Sequence, residues 1–180
     1  KEGLLDVDRH KLLRTVDGMS PKVKGTFALL LGCGLSRTEA VEVAIKDVEL
    51  KPSRIWSSGI LWVRGGKGMR ARELPFPLPL IRVNGWVYDY LAACVEWANS
   101  ELEGRPDTSS LLNISSEGLR AIVERTCKKA GLTLHAHQLR RAFGQQARDY
   151  YPIETVRRFL GHAGLDTTAI YTERPQIATE

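Results

Sequence analysis

The chain has 180 residues, 43% of them apolar and 26% charged, with a net charge of +5. That length supports a single buried core and therefore one domain. The longest apolar runs, such as residues 27–31 and 91–95, fall far short of the roughly 20 residues that span a bilayer, so a membrane span is excluded.

In chain order, residues 6–9 followed by Leu12, Leu13 and Val16 predict a short capped amphipathic helix closed by the Asp17-Gly18 turn. A second helix follows Pro21, has an apolar body over 23–31, and ends at Gly32-Cys33-Gly34. A short helix over 38–44 comes next. Beyond Asp47, β-formers separated by turn residues predict three antiparallel strands over 54–57, 60–64 and 70–75, with Gly65-Gly66-Lys67-Gly68 as a turn. Pro75, Pro77 and Pro79 then end the sheet, and residues 81–99 form a long helix whose Trp86, Tyr90 and Trp97 face the core. After a polar loop over 104–110, a helix over 116–130 stops at Gly131, and three short helices complete the chain. Cys33, Cys94 and Cys127 are odd in number and far apart, which fits neither disulfides nor zinc, so they are expected to be core thiols.

Placement of charge says more than its total. Basic residues concentrate over 64–72 and at Arg140, Arg141, Arg148, Arg157 and Arg158, while acids gather over 96–103, which implies one basic face for an anionic partner. The same C-terminal stretch carries His137-Gln138-Leu139-Arg140, then Leu160-Gly161-His162, then Tyr171 nine residues later. Together, in this order and spacing, these motifs resemble the tyrosine recombinase (phage integrase) family.

The resemblance implies a mainly helical catalytic domain with a small three-stranded antiparallel sheet, spanning residues 1–180. It further implies cleavage of double-stranded DNA by Tyr171 through a 3′-phosphotyrosyl bond, without metal, ATP or other cofactor. The residue types suit that chemistry. Charge growing on the non-bridging oxygens of a phosphodiester is met best by an arginine fork, here Arg140. His137, one helical turn earlier, can donate to the phosphate or exchange a proton with the nucleophile, and His162 adds another donor. A phenol with a pKa of about 10 needs positive neighbours or a base to become a nucleophile.

Residues 62–75 resemble the family's β-hairpin, whose turn lysine, by position Lys67, implies a general acid that protonates the departing 5′ oxygen. A P-loop reading of this turn fails, because the first glycine is misplaced and no Ser or Thr follows the lysine. The family also places an arginine in a Gly-Leu-Arg-x-x-Glu motif, and here Gly34-Leu35-Ser36-Arg37-Thr38-Glu39 stands instead. Either Ser36 fills the slot, or a backbone slide at the glycines returns Arg37, which otherwise sits about 100° round the helix. Glu39 is expected to brace the site. Arg64, Arg70, Arg72, Arg141 and Arg148 are expected to face the DNA backbone, as contacts that position without specifying.

Read singly, each of these residues has a plainer role: a capping histidine, an interface tyrosine, a solvated arginine. The joint pattern overrides that for Tyr171, Arg140, His137 and His162. His135 and His137 lack a third ligand for a metal. The resemblance implies a cytoplasmic, nucleoid-associated enzyme of a mobile element, tetrameric on DNA when full length, with an N-terminal core-binding domain absent here and the isolated domain monomeric. Only nine residues follow Tyr171, so a C-terminal docking segment is expected to be short or missing. A type IB topoisomerase and a DNA-binding module with decayed catalysis are the alternatives.

Overall fold

The computed structural model describes residues 4–66, 68–101 and 106–162. Helix α1 (Asp6–Asp17) buries Leu12 and Val16 and ends at Gly18. Its N-cap is Leu5, with no side-chain cap; Asp6 and Asp8 fall in the first turn, where negative charge meets the positive end of the helix. Arg9 shares the buried stripe with Leu12 and Val16. Helix α2 (Pro21–Phe27) begins with proline in its first turn and a Ser20 cap, then widens into a π-helical turn, Ala28–Gly32, every residue of which is buried. The Leu35 N–H reaches back to the Leu29 carbonyl at 3.0 Å, so the expected helix is present but its last turn is loosened. Helix α3 (Arg37–Glu42) starts at Ser36. The Ser36 hydroxyl accepts from the Glu39 N–H at 3.1 Å while the Glu39 carboxylate accepts from the Ser36 N–H at 3.0 Å, which satisfies two N-terminal donors at once.

Three antiparallel strands, β1 (Val48–Lys51), β2 (Ser58–Val63) and β3 (Arg72–Phe76), form one sheet in the order β1-β2-β3. The first strand is therefore not at 54–57 as expected. Those residues form a turn in which the Ser53 hydroxyl accepts from the Ile55 and Trp56 N–H groups, an alternative to strand pairing that serine side chains offer. Pro75 does not end the sheet either; it lies inside β3 opposite Ile60, on an edge strand where a missing N–H is tolerated. Leu61 pairs with Val48 on one side and Leu74 on the other, and these three face the core.

A 3₁₀ turn, Arg82–Asn84, takes the place of the first residues expected in the long helix, and α4 (Gly85–Glu101) packs against both α2 and the sheet. Tyr90 is buried, while Trp86 and Trp97 are partly buried and cover the rim of the core. Helix α5 (Ser116–Lys129) is capped by Ser115 and followed by Gly131. Helices α6 (Ala136–Arg148) and α7 (Ile153–Leu160) supply two of the three expected C-terminal helices; the third falls outside the described residues. All three cysteines are buried, and burial pushes the Cys94 and Cys127 thiols up to about 12. Among the described residues no helix is long and apolar enough to cross a membrane.

Candidate active site

Helix α6 is sharply two-sided. Ala136, Leu139, Ala142, Phe143 and Ala147 are buried, and the helix packs on the π-helical turn that follows α2. His137, Arg141 and Arg148 are exposed, with Arg140 half-buried at the boundary. Its start is fixed by the Gln138 side chain, which accepts from the His135 N–H at 2.8 Å.

Helix α7 ends at Gly161, whose φ of 75° lets the chain reverse so that the His162 N–H closes on the Arg157 carbonyl at 3.1 Å. The last carbonyls of a helix lack partners within it and lie at its negative end. Here two guanidinium groups supply those partners: Arg72 Nε donates to the Phe159 carbonyl at 2.7 Å, and Arg140 Nη2 donates to the Leu160 carbonyl at 2.8 Å. Arg140 Nη1 donates to the Gly34 carbonyl. Gly34 itself has a φ of 73°, and a Cβ there would lie 2.3 Å from the Phe143 ring, so glycine is required for this close approach to α6.

Beneath the two arginines lies Glu39, its side chain only 3% exposed. Arg72 grips it with two bonds, Nη1 to Oε2 at 2.9 Å and Nη2 to Oε1 at 3.1 Å, and Arg140 Nη1 lies 3.8 Å away. Burial by itself raises the Glu39 carboxyl, but the Arg72 and Ser36 hydrogen bonds, with the charges of Arg72 and Arg140, outweigh it and hold the group below its ordinary value. Burial lowers Arg140 from its usual value, Glu39 offsets this and Arg72 adds to it; arginine nonetheless stays a cation.

The hairpin that joins β2 to β3 folds over this assembly. Met69 pairs with His162 across an isolated antiparallel bridge, the Arg70 N–H donates to the Gly161 carbonyl at 2.9 Å, and the Met69 sulfur lies 3.4 Å from Arg140 Nη2. Beside it opens a hollow of about 510 Å³ lined by His137, Arg140, Arg141, Arg148, Arg157 and His162, together with small and apolar residues and Gln145. Among the described residues no carboxylate lines it. A concave surface with clustered basic donors suits a phosphate diester.

The structure thus gathers His137, Arg140 and His162 at one hollow, with Arg141 and Arg148 on its wall. Other expected residues lie elsewhere. Arg72 is 8% exposed and spent on Glu39 and Phe159, so it is an internal strut and not a DNA-facing cation. Arg64 is half-exposed and held by Asp47 through bonds of 3.0 and 3.2 Å. Arg70 is exposed at the hairpin tip. Arg37 does not enter the hollow: its charge acts on Glu117 of α5 and is absent from the groups that set Glu39, two residues away. Ser36 occupies the cap position, with Arg37 the first residue of α3. Tyr171 and Lys67 lie outside the described residues.

Sequence reasoning missed the strut made by Arg72, although a signal existed. Arg72, Leu74 and Phe76 share one parity along β3, and the latter two are buried, so an arginine in that register faces inward and demands a buried acid.

Comparison with known proteins adds an independent line. The family model described as "Phage integrase family" matches residues 7–176. The chain is 28% identical over 172 residues to the tyrosine recombinase XerA of Pyrococcus furiosus, covering 95% of this chain and 57% of that protein. It is 30% identical over 174 residues to XerA of Thermococcus kodakarensis, covering 91% and 55%. The chain therefore spans a little over half the length of these relatives. Among solved structures, a crystal structure of XerA recombinase matches with a TM-score of 0.70 at 22% identity over 99% of this chain and 61% of that one, a likeness of fold. XerH site-specific recombinase, bound to its difH substrate in a pre-cleavage complex, matches with a TM-score of 0.65 at 25% identity over 97% and 51%.

Proposed function

The chain belongs to the phage integrase family, and from that premise we propose that it is the catalytic domain of a tyrosine site-specific recombinase that cuts and rejoins double-stranded DNA through Tyr171. The observation that carries the reading is the basic hollow in which His137, Arg140 and His162 meet, although up to 25 residues separate them in sequence. In this reading the scissile phosphate seats on Arg140, whose other bonds to Gly34 and Leu160 keep the fork fixed and so minimise reorganisation during reaction. His137 and His162 donate to the phosphate oxygens or move a proton. The Tyr171 oxygen attacks phosphorus, the bond to the 5′ oxygen breaks, and Lys67 supplies that oxygen's proton. One phosphodiester replaces another, so resealing needs no external energy source. The working assembly is a homotetramer of the full-length protein on DNA, acting in the cytoplasm on the nucleoid.

The test is a library of nicked duplexes of random sequence, on which cleavage releases the leaving strand and traps the protein. The expected result is a denaturant-resistant protein–DNA adduct that vanishes in Tyr171→Phe. A second reading, binding without cleavage, draws on Ser36 as a helix cap and on Arg37 turned towards α5, which leave the hollow one guanidinium poorer. Retention of the duplexes with no adduct from the wild type would favour it, as would appearance of an adduct only in Ser36→Arg.

A further inference from the structure

Two oxygens of a phosphate dock on an arginine through neighbouring N–H groups, either Nε with Nη2 or Nη1 with Nη2. Both arrangements need an Nη2 hydrogen. On Arg140 both are engaged, one by the Leu160 carbonyl at 2.8 Å and one by the Met69 sulfur at 3.4 Å. The carbonyl is a strong acceptor at the end of a helix, whereas a thioether is a weak one on a flexible stem. We propose that Met69 is a positioning residue: its sulfur holds the place on Arg140 that a DNA phosphate oxygen takes, and it swings aside when the phosphate seats.

The surroundings fit an exchangeable cap better than a structural contact. Met69 is only partly buried, so its side chain has room to leave. Its backbone has anchors of its own, the Met69 N–H to the Gly66 carbonyl at 2.7 Å and the bridge to His162, so the hairpin stays in place when the sulfur departs. While seated, the thioether shields a partly desolvated guanidinium and satisfies an N–H at little energetic cost to the incoming ligand. The inference rests on the reading that Arg140 receives DNA phosphate.

The chain contains two methionines, Met19 and Met69, which makes the experiment direct. In protein carrying ¹³C-methyl methionine, addition of a DNA duplex is expected to shift the Met69 methyl signal and leave that of Met19 in place, with Met19→Leu giving the assignment. Met69→Leu, which removes the acceptor, is expected to bind duplex at least as tightly as the wild type. Met69→Gln, which puts a strong acceptor beside Nη2, is expected to bind roughly tenfold more weakly. Peroxide should mimic that change, since it transfers one oxygen to sulfur, leaves as water, and creates a polar sulfoxide acceptor; methionine sulfoxide reductase should reverse it, and Met69→Leu should be insensitive. A Met69 methyl unmoved by DNA that Arg140→Ala fails to bind overturns the inference alone, as do Gln and sulfoxide forms that bind like the wild type. If Arg140→Ala binds and cleaves normally, both this inference and the proposed function fall.

Discussion

At the residue scale, Arg140 and Glu39 carry the arrangement, and each makes a measurable claim. Arg140→Lys keeps the charge but loses the planar fork that reaches Gly34, Leu160 and a phosphate together. Adduct yield on nicked duplexes is expected to fall by roughly 10²–10³, with circular dichroism showing a retained fold. Glu39 is held below its ordinary value, so its ionised form stabilises the folded chain above an unfolded pKa of roughly 4.3, and that stabilisation is lost as pH falls through the lower, folded value. Urea melts should therefore show stability dropping with acidification below about pH 5. Glu39→Gln should be less stable at neutral pH, because Arg72 loses its buried counter-charge, and should show a shallower acid slope. That His137 and Arg140 share one face of a helix was legible from their spacing, and the structure has both at one hollow. Arg72 was misread as a DNA contact because a cluster of basic residues looks like a surface until strand parity is applied to it.

At the element scale, helices bounded by strong punctuation were legible: Gly18 closes α1, Pro21 opens α2, and Gly131 follows α5. The strand at 48–51 was not, because its alternation is short and the Ser53 turn beyond it contains residues that also favour strands. The π-helical turn after α2 left no local signal at all, since its five residues read as an ordinary buried helix. Helix α1 contains the clearest local conflict. Arg9 occupies a core stripe with Nε and Nη1 buried and without a hydrogen-bond partner among the described residues, and burial lowers its pKa while the charge of Asp6 raises it. Replacing it by an unbranched apolar side chain removes that unmet demand. Arg9→Met is expected to raise unfolding free energy by about 1–3 kcal/mol, read from the urea midpoint at unchanged slope; a loss of stability would mean that Arg9 has a partner in solution.

At the scale of the whole molecule, the architecture expected from the resemblance and the one observed agree: mainly helical, one three-stranded antiparallel sheet, and a basic hollow on one face. Under the proposed function this surface meets DNA through phosphate neutralisation, which releases counterions and makes affinity fall with salt by a log–log slope of about −0.9 per contact. Arg141→Ala and Arg148→Ala, both on the wall of the hollow, should each make that slope shallower by about one while leaving sequence preference unchanged. Fluorescence anisotropy across a salt series would measure it, and an unaltered slope would remove these residues from the interface.

The dependence of Arg72 and Arg140 on the carbonyls of Phe159 and Leu160 also bears on synthesis. A polypeptide leaves the ribosome from its amino end, so both guanidinium groups emerge well before the two oxygens that hold them in place. Until the last of these has emerged, the Arg140 fork lacks the Leu160 partner that helps hold it in place. The order of translation thus makes the rigid pair of guanidinium groups a late feature, completed only after residue 160 has emerged.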